Sequence, residues 1–277
     1  MKYITFNSAC SYAGAANMLM QFGVDTDDRT IALDMGLPFL FSQDEDGYAA
    51  GPMLQSARWF NLYLHPMGFH MEEEQIPANQ VPDYIKRERT AMLGIRMEQG
   101  GKHALTYVGY SKHGLRFLNN KWQQENAEDA LILTEQELIG RIDDPCMVAV
   151  LRKITPAKVD IEAEMAQSIN ILDENLLEIE KTAAIAQPVS ALRRQLTPLF
   201  RPLLLDGITM LDLLGETDLH RKFTAIQQSF LAALRRDDPQ LLLCEHISLE
   251  NLRSAVTEYK HLILAELNRR KREAYTV

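Results

Sequence analysis

The sequence predicts an α+β domain over residues 1–156, in which an N-terminal helix packs on an antiparallel sheet, followed by an all-α domain over residues 157–277. Of the 14 glycines, only Gly207 and Gly215 lie in the second part. Both tryptophans and most other aromatic residues precede Pro156, whereas Leu, Glu, Ala and Arg dominate after it. A mixed composition followed by a helix-favouring one predicts two domains of different class.

The helices of the first domain are predicted from apolar spacing and terminating residues. Residues 12–22 form a short helix, and Gly23 suits the position after its last turn. The acidic residues, glycines and prolines of residues 35–52 predict a loop that covers a site. Three further helices are predicted at residues 27–33, 54–65 and 82–89.

Apolar runs predict the strands, which cover residues 91–96, 104–110, 115–120 and 146–151. The second and third form a hairpin around a turn at residues 112–114, and the last is expected to close the sheet. Before that last strand, Thr134 begins a helix over residues 135–142, and Glu137 completes a capping box.

The second domain is predicted to consist of helices. Apolar residues recur every three to four positions from Ile161 to Ile179, which predicts a helix over residues 159–185. Further helices begin at Thr217 and Ser248. We expect this domain to serve in packing, in oligomerisation as a possible homodimer, or in binding a substrate or partner.

Composition excludes several function classes. The formal net charge is −9 and neither domain is basic, which argues against nucleic-acid binding. The chain has no run of 18 apolar residues and no secretory signal, so no membrane span is expected. Three widely spaced cysteines, Cys10, Cys146 and Cys244, argue against a disulfide framework and a thiolate metal site, and fit a reducing cytoplasm. No metal or cofactor is predicted.

Cys10 is the candidate nucleophile. It directly precedes the first predicted helix, whose unpaired N–H groups and positive dipole end stabilise a thiolate. Its neighbours Ala9, Ser11 and Ala13 are small, so a substrate can approach, and its own N–H can point toward an oxyanion. The alternative for a lone cysteine is a buried core residue.

His103 and Asn120 are the candidate partners of Cys10. His103 opens a strand after a glycine-rich loop, which is an exposed position for a general base, although a surface histidine is the alternative. Asn120 ends the return strand of the hairpin, so its amide is expected to lie near His103 and to accept from the imidazole N–H. Asn119 is the alternative, because adjacent strand residues face opposite ways.

Three segments carry a family resemblance. They read Ser8-Ala9-Cys10-Ser11-Tyr12-Ala13-Gly14-Ala15-Ala16-Asn17-Met18-Leu19 followed by Gly23, Met35-Gly36-Leu37-Pro38-Phe39-Leu40-Phe41, and His103-Ala104-Leu105-Thr106-Tyr107-Val108-Gly109-Tyr110 through Leu118-Asn119-Asn120. The first resembles the nucleophile helix of papain-like folds of the peptidase C39-like group. The other two resemble the N-terminal domain family of butirosin-biosynthesis protein H.

The resemblance covers about residues 1–150 and implies a papain-like fold that transfers an acyl group from an acyl-carrier thioester to an amine. It implies Cys10 as nucleophile, His103 as base and Asn120 at the third position, where that family usually has Asp and papain has Asn. Papain-like peptidases often carry a Gln before the cysteine as an oxyanion donor, and here Asn7 is the candidate substitute.

Two functional hypotheses follow. The first is a cysteine hydrolase or acyltransferase that forms an acyl-thioester on Cys10 and acts on a small-molecule, peptide or acyl-carrier substrate. Hydrolysis and transfer share this chemistry, so the residues do not separate them. The second is a catalytically inactive papain-like binding module, in which the helical domain dimerises or binds a partner.

Overall fold

The computed structural model describes residues 1–6, 10–98, 100–120, 130–185, 189–235 and 248–274. The chain divides into two compact units. The first comprises Met1–Met35 and Gln55–Val159, and the second comprises Gly36–Leu54 and Asp160–Val277. The α+β class with a C-terminal helical region is confirmed. The segment 36–54, which the sequence assigned to the first domain, packs with the helical unit.

The helices and strands are numbered in chain order. The helices are α1 (Cys10–Met20), α2 (Asp28–Asp34), α3 (Ala57–Leu64), α4 (Val81–Lys86), α5 (Glu135–Arg141), α6 (Ile161–Ala183), α7 (Val189–Arg201), α8 (Ile208–Leu214), α9 (Thr217–Arg235) and α10 (Leu249–Ala274). The strands are β1 (Phe41–Asp44), β2 (Gly47–Ala50), β3 (Phe69–Ile76), β4 (Ala91–Arg96), β5 (Lys102–Ser111), β6 (Gly114–Asn119), β7 (Ala130–Leu133) and β8 (Cys146–Lys153).

In the first unit, the described residues form a six-stranded antiparallel sheet in the order β3-β8-β4-β5-β6-β7. The predicted strand at residues 91–96 coincides with β4. The strand β8, expected to close the sheet, instead lies between β3 and β4. Sequence reasoning missed β3, because its glutamates Glu72, Glu73 and Glu74 resemble a solvated loop. An edge strand accommodates such charges, since one side of it faces solvent.

The two faces of this sheet carry different helices. On the α1 face, Thr106 Oγ1 donates to the Gly14 carbonyl at 3.3 Å, and Met92 lies under the same glycine. On the α4–α5 face, buried residues of β4, β5, β6 and β8 pack with those of the two helices. This cluster includes Ile95 and Leu105 from the strands, and Val81 and Leu138 from the helices.

Helix α1 lies unusually close to the sheet. A Cβ at Gly14 would overlap Met92 Sδ and come within 3.0 Å of Asn120 Nδ2. A larger residue here would require the Met92 and Asn120 side chains to shift, so glycine suits this close approach. The residues before the helix are anchored as well, since the Thr5 and Phe6 N–H groups donate to the buried Asp28 carboxylate. Burial raises the pKa of that carboxyl despite these donors.

In the second unit, the predicted loop at 35–52 is wrong in part, because residues 41–50 form the β1–β2 hairpin with Phe41 opposite Ala50. Contacts distant in sequence hold it. Ser168 Oγ of α6 accepts from the Phe41 N–H at 2.8 Å, and Tyr259 Oη of α10 donates to the Pro38 carbonyl at 2.6 Å. No local pattern could indicate partners this far along the chain.

Several predicted helix termini are confirmed. Thr134 and Glu137 form the reciprocal capping box of α5. Ser248 Oγ accepts from the Asn251 N–H at the start of α10. The long helices α6, α9 and α10 match the predicted helices at 159–185, from Thr217 and from Ser248 to within a few residues.

The helical unit contains a buried carboxyl group. Asp206 lies in a π-helical turn, Pro202–Gly207, between α7 and α8 and is only 3% exposed. Burial raises its pKa to about 6, against the opposing effect of Arg201, whose Nε lies 3.4 Å from Oδ2. The folded chain therefore binds this proton more tightly than the unfolded chain.

We expect Asp206→Asn to stabilise the protein at pH 7.5 by about 1–2 kcal/mol. A carboxyl whose pKa is raised by folding stabilises the folded state fully below its ordinary pKa of 3.8. This stabilisation is lost as the pH rises through the folded-state pKa of about 6. The gain should therefore shrink below pH 6 and vanish near pH 4, as measured by urea unfolding. The control is Asp212→Asn at an exposed position, which should leave the free energy of unfolding unchanged. A gain in stability from Asp206→Asn that does not depend on pH would contradict the role given to the raised pKa of Asp206.

Candidate active site

Cys10 is the first residue of α1 and is partly exposed. Its Sγ accepts a hydrogen bond from the Ala104 N–H of β5 at 3.5 Å. The next residue, Ser11, donates its hydroxyl to Gln55 Oε1 at 3.0 Å. The thiol therefore lies between the positive end of a helix and a main-chain donor.

Asn120 joins the helix to the sheet. Its Nδ2 donates to the Cys10 carbonyl at 2.9 Å and to the Ala104 carbonyl at 2.8 Å. Its Oδ1 accepts from Asn17 Nδ2 at 2.7 Å, and the side chain is fully buried. The amide therefore holds the segment that carries Cys10 directly, which differs from the expected role of accepting from the His103 imidazole.

The His103 side chain lies apart from this set. His103 pairs with Ile95 across β4 and β5, and Ile95 belongs to the α4–α5 face. Side chains of directly opposite residues in a sheet share a face, so the exposed His103 side chain projects from the sheet face away from α1. Among the described residues, no hydrogen bond joins this ring to Cys10 or Asn120.

The backbone of His103 is nevertheless close to the thiol. The Ala104 nitrogen is about 2.4 Å from the His103 Cα by covalent geometry. With the sulfur 3.5 Å from that nitrogen, Cys10 Sγ lies within about 6 Å of the His103 Cα. Imidazole nitrogens lie roughly 3–4.5 Å from their own Cα, so the ring comes within reach of the sulfur only if the start of β5 turns this side chain toward α1.

The other predicted residues have different outcomes. Asn119 pairs with Leu105, so it lies on the α4–α5 face, the same face as His103. It is buried, and its Oδ1 has no hydrogen-bond partner among the described residues. Asn7, the candidate oxyanion donor, lies outside the described residues.

Sequence reasoning missed Asn17 as a member of the site. Its Oδ1 accepts from the Lys2 N–H at 2.7 Å, and its Nδ2 donates to the Lys2 carbonyl at 3.1 Å as well as to Asn120. The available signal was an asparagine two turns after Cys10 in an otherwise small and apolar helix. A buried carboxamide there needs polar partners.

Cys146 provides a contrast within the same unit. It is 2% exposed, and burial raises its pKa to about 11, opposed by Lys102 and reinforced by Asp143. The Asp143 carboxylate pairs with Lys102 and Arg96, which hold its own pKa below the usual range. Cys146 is therefore a protonated core thiol at neutral pH.

No protein-family model and no curated protein matches this chain. Within the described ranges, no group of three His, Cys, Asp or Glu side chains is arranged to hold a metal ion. No helix in that part of the chain is both long and apolar enough to cross a membrane.

We expect iodoacetamide to alkylate Cys10 in the native Cys244→Ser protein at pH 8 while Cys146 stays unmodified. Cys10 is partly exposed, whereas Cys146 is buried and protonated at that pH. Peptide mass spectrometry over time measures both sites. In denaturant the two thiols should react at similar rates, and faster native modification of Cys146 would contradict the assignment.

Proposed function

We propose that this chain is a thiol-dependent acyl-transfer enzyme of papain-like type, in which Cys10 carries the acyl group as a thioester. The observation that supports it most is the convergence of three segments distant in sequence. The start of α1, the start of β5 and the end of β6 meet where Ala104 N–H contacts Cys10 Sγ and Asn120 bridges two carbonyls.

In the proposed reaction, the His103 imidazole takes the proton of the Cys10 thiol, and the sulfur attacks the acyl carbonyl carbon. The bond to the leaving group breaks as that group takes the proton from the imidazolium. An amine or water then attacks the thioester and releases the thiol. The N–H groups of the first turn of α1 are the nearest donors for the oxyanion.

This proposal requires His103 to turn toward the sulfur when the site is engaged. The residue is exposed, and it follows Gly100 and Gly101, both of which have positive φ. The space where a side chain would stand at these two glycines is open, so the segment before the strand has room to change conformation. Catalytic hydrogen bonds often tighten only in the complex with substrate.

A second candidate is a papain-like binding module without catalysis. It is favoured by one observation, namely that the His103 ring lies on the opposite face from α1 and has no bond to Cys10. In this case the Asn120 bonds would serve only to hold the fold, and the helical unit would carry the function.

We propose a small-molecule, peptide or acyl-carrier substrate for the enzyme, in a reducing compartment such as the cytoplasm that keeps the thiol free. The helical unit, Gly36–Leu54 with Asp160–Val277, is proposed to bind a partner or a second copy of the chain. Neither role requires a cofactor or a metal.

The test is acylation of the purified protein by short acyl thioesters, followed by intact-protein mass spectrometry. We expect one acyl adduct on Cys10, absent in Cys10→Ala. Loss of a general base typically costs 10²–10⁴-fold, so His103→Ala should slow acylation by at least about 100-fold. Added amines should shorten the lifetime of the adduct if the enzyme transfers rather than hydrolyses.

The matched control is His113→Ala. His113 is an exposed histidine in the turn of the same hairpin, and its loss should leave the rate unchanged. Acylation that is equally fast in His103→Ala would reject His103 as the base. If Cys10 accepts no acyl group from any thioester, the binding-module candidate is favoured instead.

A further inference from the structure

The Asn17 and Asn120 carboxamides form a closed hydrogen-bond network. Both side chains are fully buried, and each uses both of its amide hydrogens and its oxygen. The orientation of Asn120 is decided by its partners, because the atom that faces two carbonyl oxygens must be the N–H₂ group. Asn17 then supplies the donor that the Asn120 oxygen needs.

This network makes Asn120 a hydrogen-bond donor toward the nucleophile. Its two hydrogens bind the carbonyls of Cys10 and Ala104, and these are the two residues whose Sγ and N–H are in contact. Holding both carbonyls fixes the start of α1 against the start of β5. The Asn120 oxygen accepts from Asn17 and not from an imidazole.

We infer that Asn17 and Asn120 are positioning residues that hold the Cys10 thiol on the Ala104 N–H through donated amide hydrogens. The consequence for catalysis rests on the proposed function, whereas the consequence for thiol reactivity does not. Asn17 acts through Asn120. The hydrogen bond from Asn17 Nδ2 keeps the Asn120 oxygen turned away from the two carbonyls.

Replacement by aspartate separates this role from the orientation of a histidine. A carboxylate accepts hydrogen bonds as well as an amide does, so a residue that only accepts from an imidazole tolerates Asn120→Asp. A residue that donates to two carbonyls does not, because the oxygen that replaces Nδ2 would face two carbonyl oxygens in a buried site.

The experiment compares Asn120→Asp with Asn119→Asp in the Cys244→Ser background. Asn119 is the adjacent residue and is also buried, so its variant adds the same charge one position earlier, but its side chain lies on the α4–α5 face and contacts neither carbonyl. The readout is the rate constant for Cys10 with 2,2′-dipyridyl disulfide, which reacts with thiols from acid to neutral pH. Acyl transfer to Cys10 is measured in parallel.

We expect Asn120→Asp to change the reactivity of Cys10 at pH 7 by about ten-fold or more, and Asn119→Asp by less than about two-fold. The difference from the wild type should narrow toward pH 4, because a protonated carboxyl regains one O–H donor. A general loss of stability would not produce this pH profile. Acyl transfer should follow the same order among the variants.

Wild-type rates and an unchanged pH profile in Asn120→Asp would overturn the inference, as would an equal effect in Asn119→Asp. If Asn120→Asp does not fold, Asn17→Asp carries the test, since one oxygen still accepts from the Lys2 N–H while the donors to Asn120 and to the Lys2 carbonyl are lost. Absence of acyl transfer in the wild type rejects the proposed enzyme, but the thiol rates still decide the positioning role.

Discussion

The site depends on one buried carboxamide. Asn120 donates to the Cys10 carbonyl at the start of α1 and to the Ala104 carbonyl at the start of β5, so it joins a helix to a strand 94 residues further along the chain. Gly14 permits the helix to approach closely enough, and Asn17 holds the carboxamide in the required orientation. Buried polar groups are costly unless every donor and acceptor is paired, and here each is. The Cys10 thiol therefore contacts a main-chain N–H because a fully hydrogen-bonded network of buried carboxamides holds it there. The sequence around Cys10 does not specify this contact.

The alternation of side chains along β5 separates two pairs of residues. Cys10 and Asn120 lie with the α1 face, whereas His103 and Asn119 belong to the opposite face. Backbone proximity still places the His103 Cα within about 6 Å of the sulfur, so the distinction between an enzyme and an inactive module depends on the orientation of one exposed imidazole. The surrounding backbone is common to both alternatives.

Much of the fold was predictable because it depends on local signals. The capping box at Thr134, the strand at 91–96 and the long amphipathic helices all follow from short-range patterns. The β1–β2 hairpin was not predictable, because Ser168 binds its first residue, Phe41, from 127 residues away. Within the site, the position of Cys10 at a helix start was predictable, but the partner of Asn120 was not. A register shift between Tyr107 and Gly109 aligns Asn119 with Leu105 and brings Asn120 beside Ala104, whereas an uninterrupted ladder would place Asn120 opposite Leu105. Such bulges arise from sheet packing and leave no reliable mark in sequence.

Cross-linking by 1,3-dibromoacetone tests most directly whether thiol and imidazole meet. Its three-carbon bridge joins a sulfur and a ring nitrogen only when they come within about 5 Å of each other. We expect a bridge between Cys10 and His103 in the native protein, identified by peptide mass spectrometry. The bridge should not form in denaturant. Alkylation of Cys10 without any bridge to His103 would contradict this expectation.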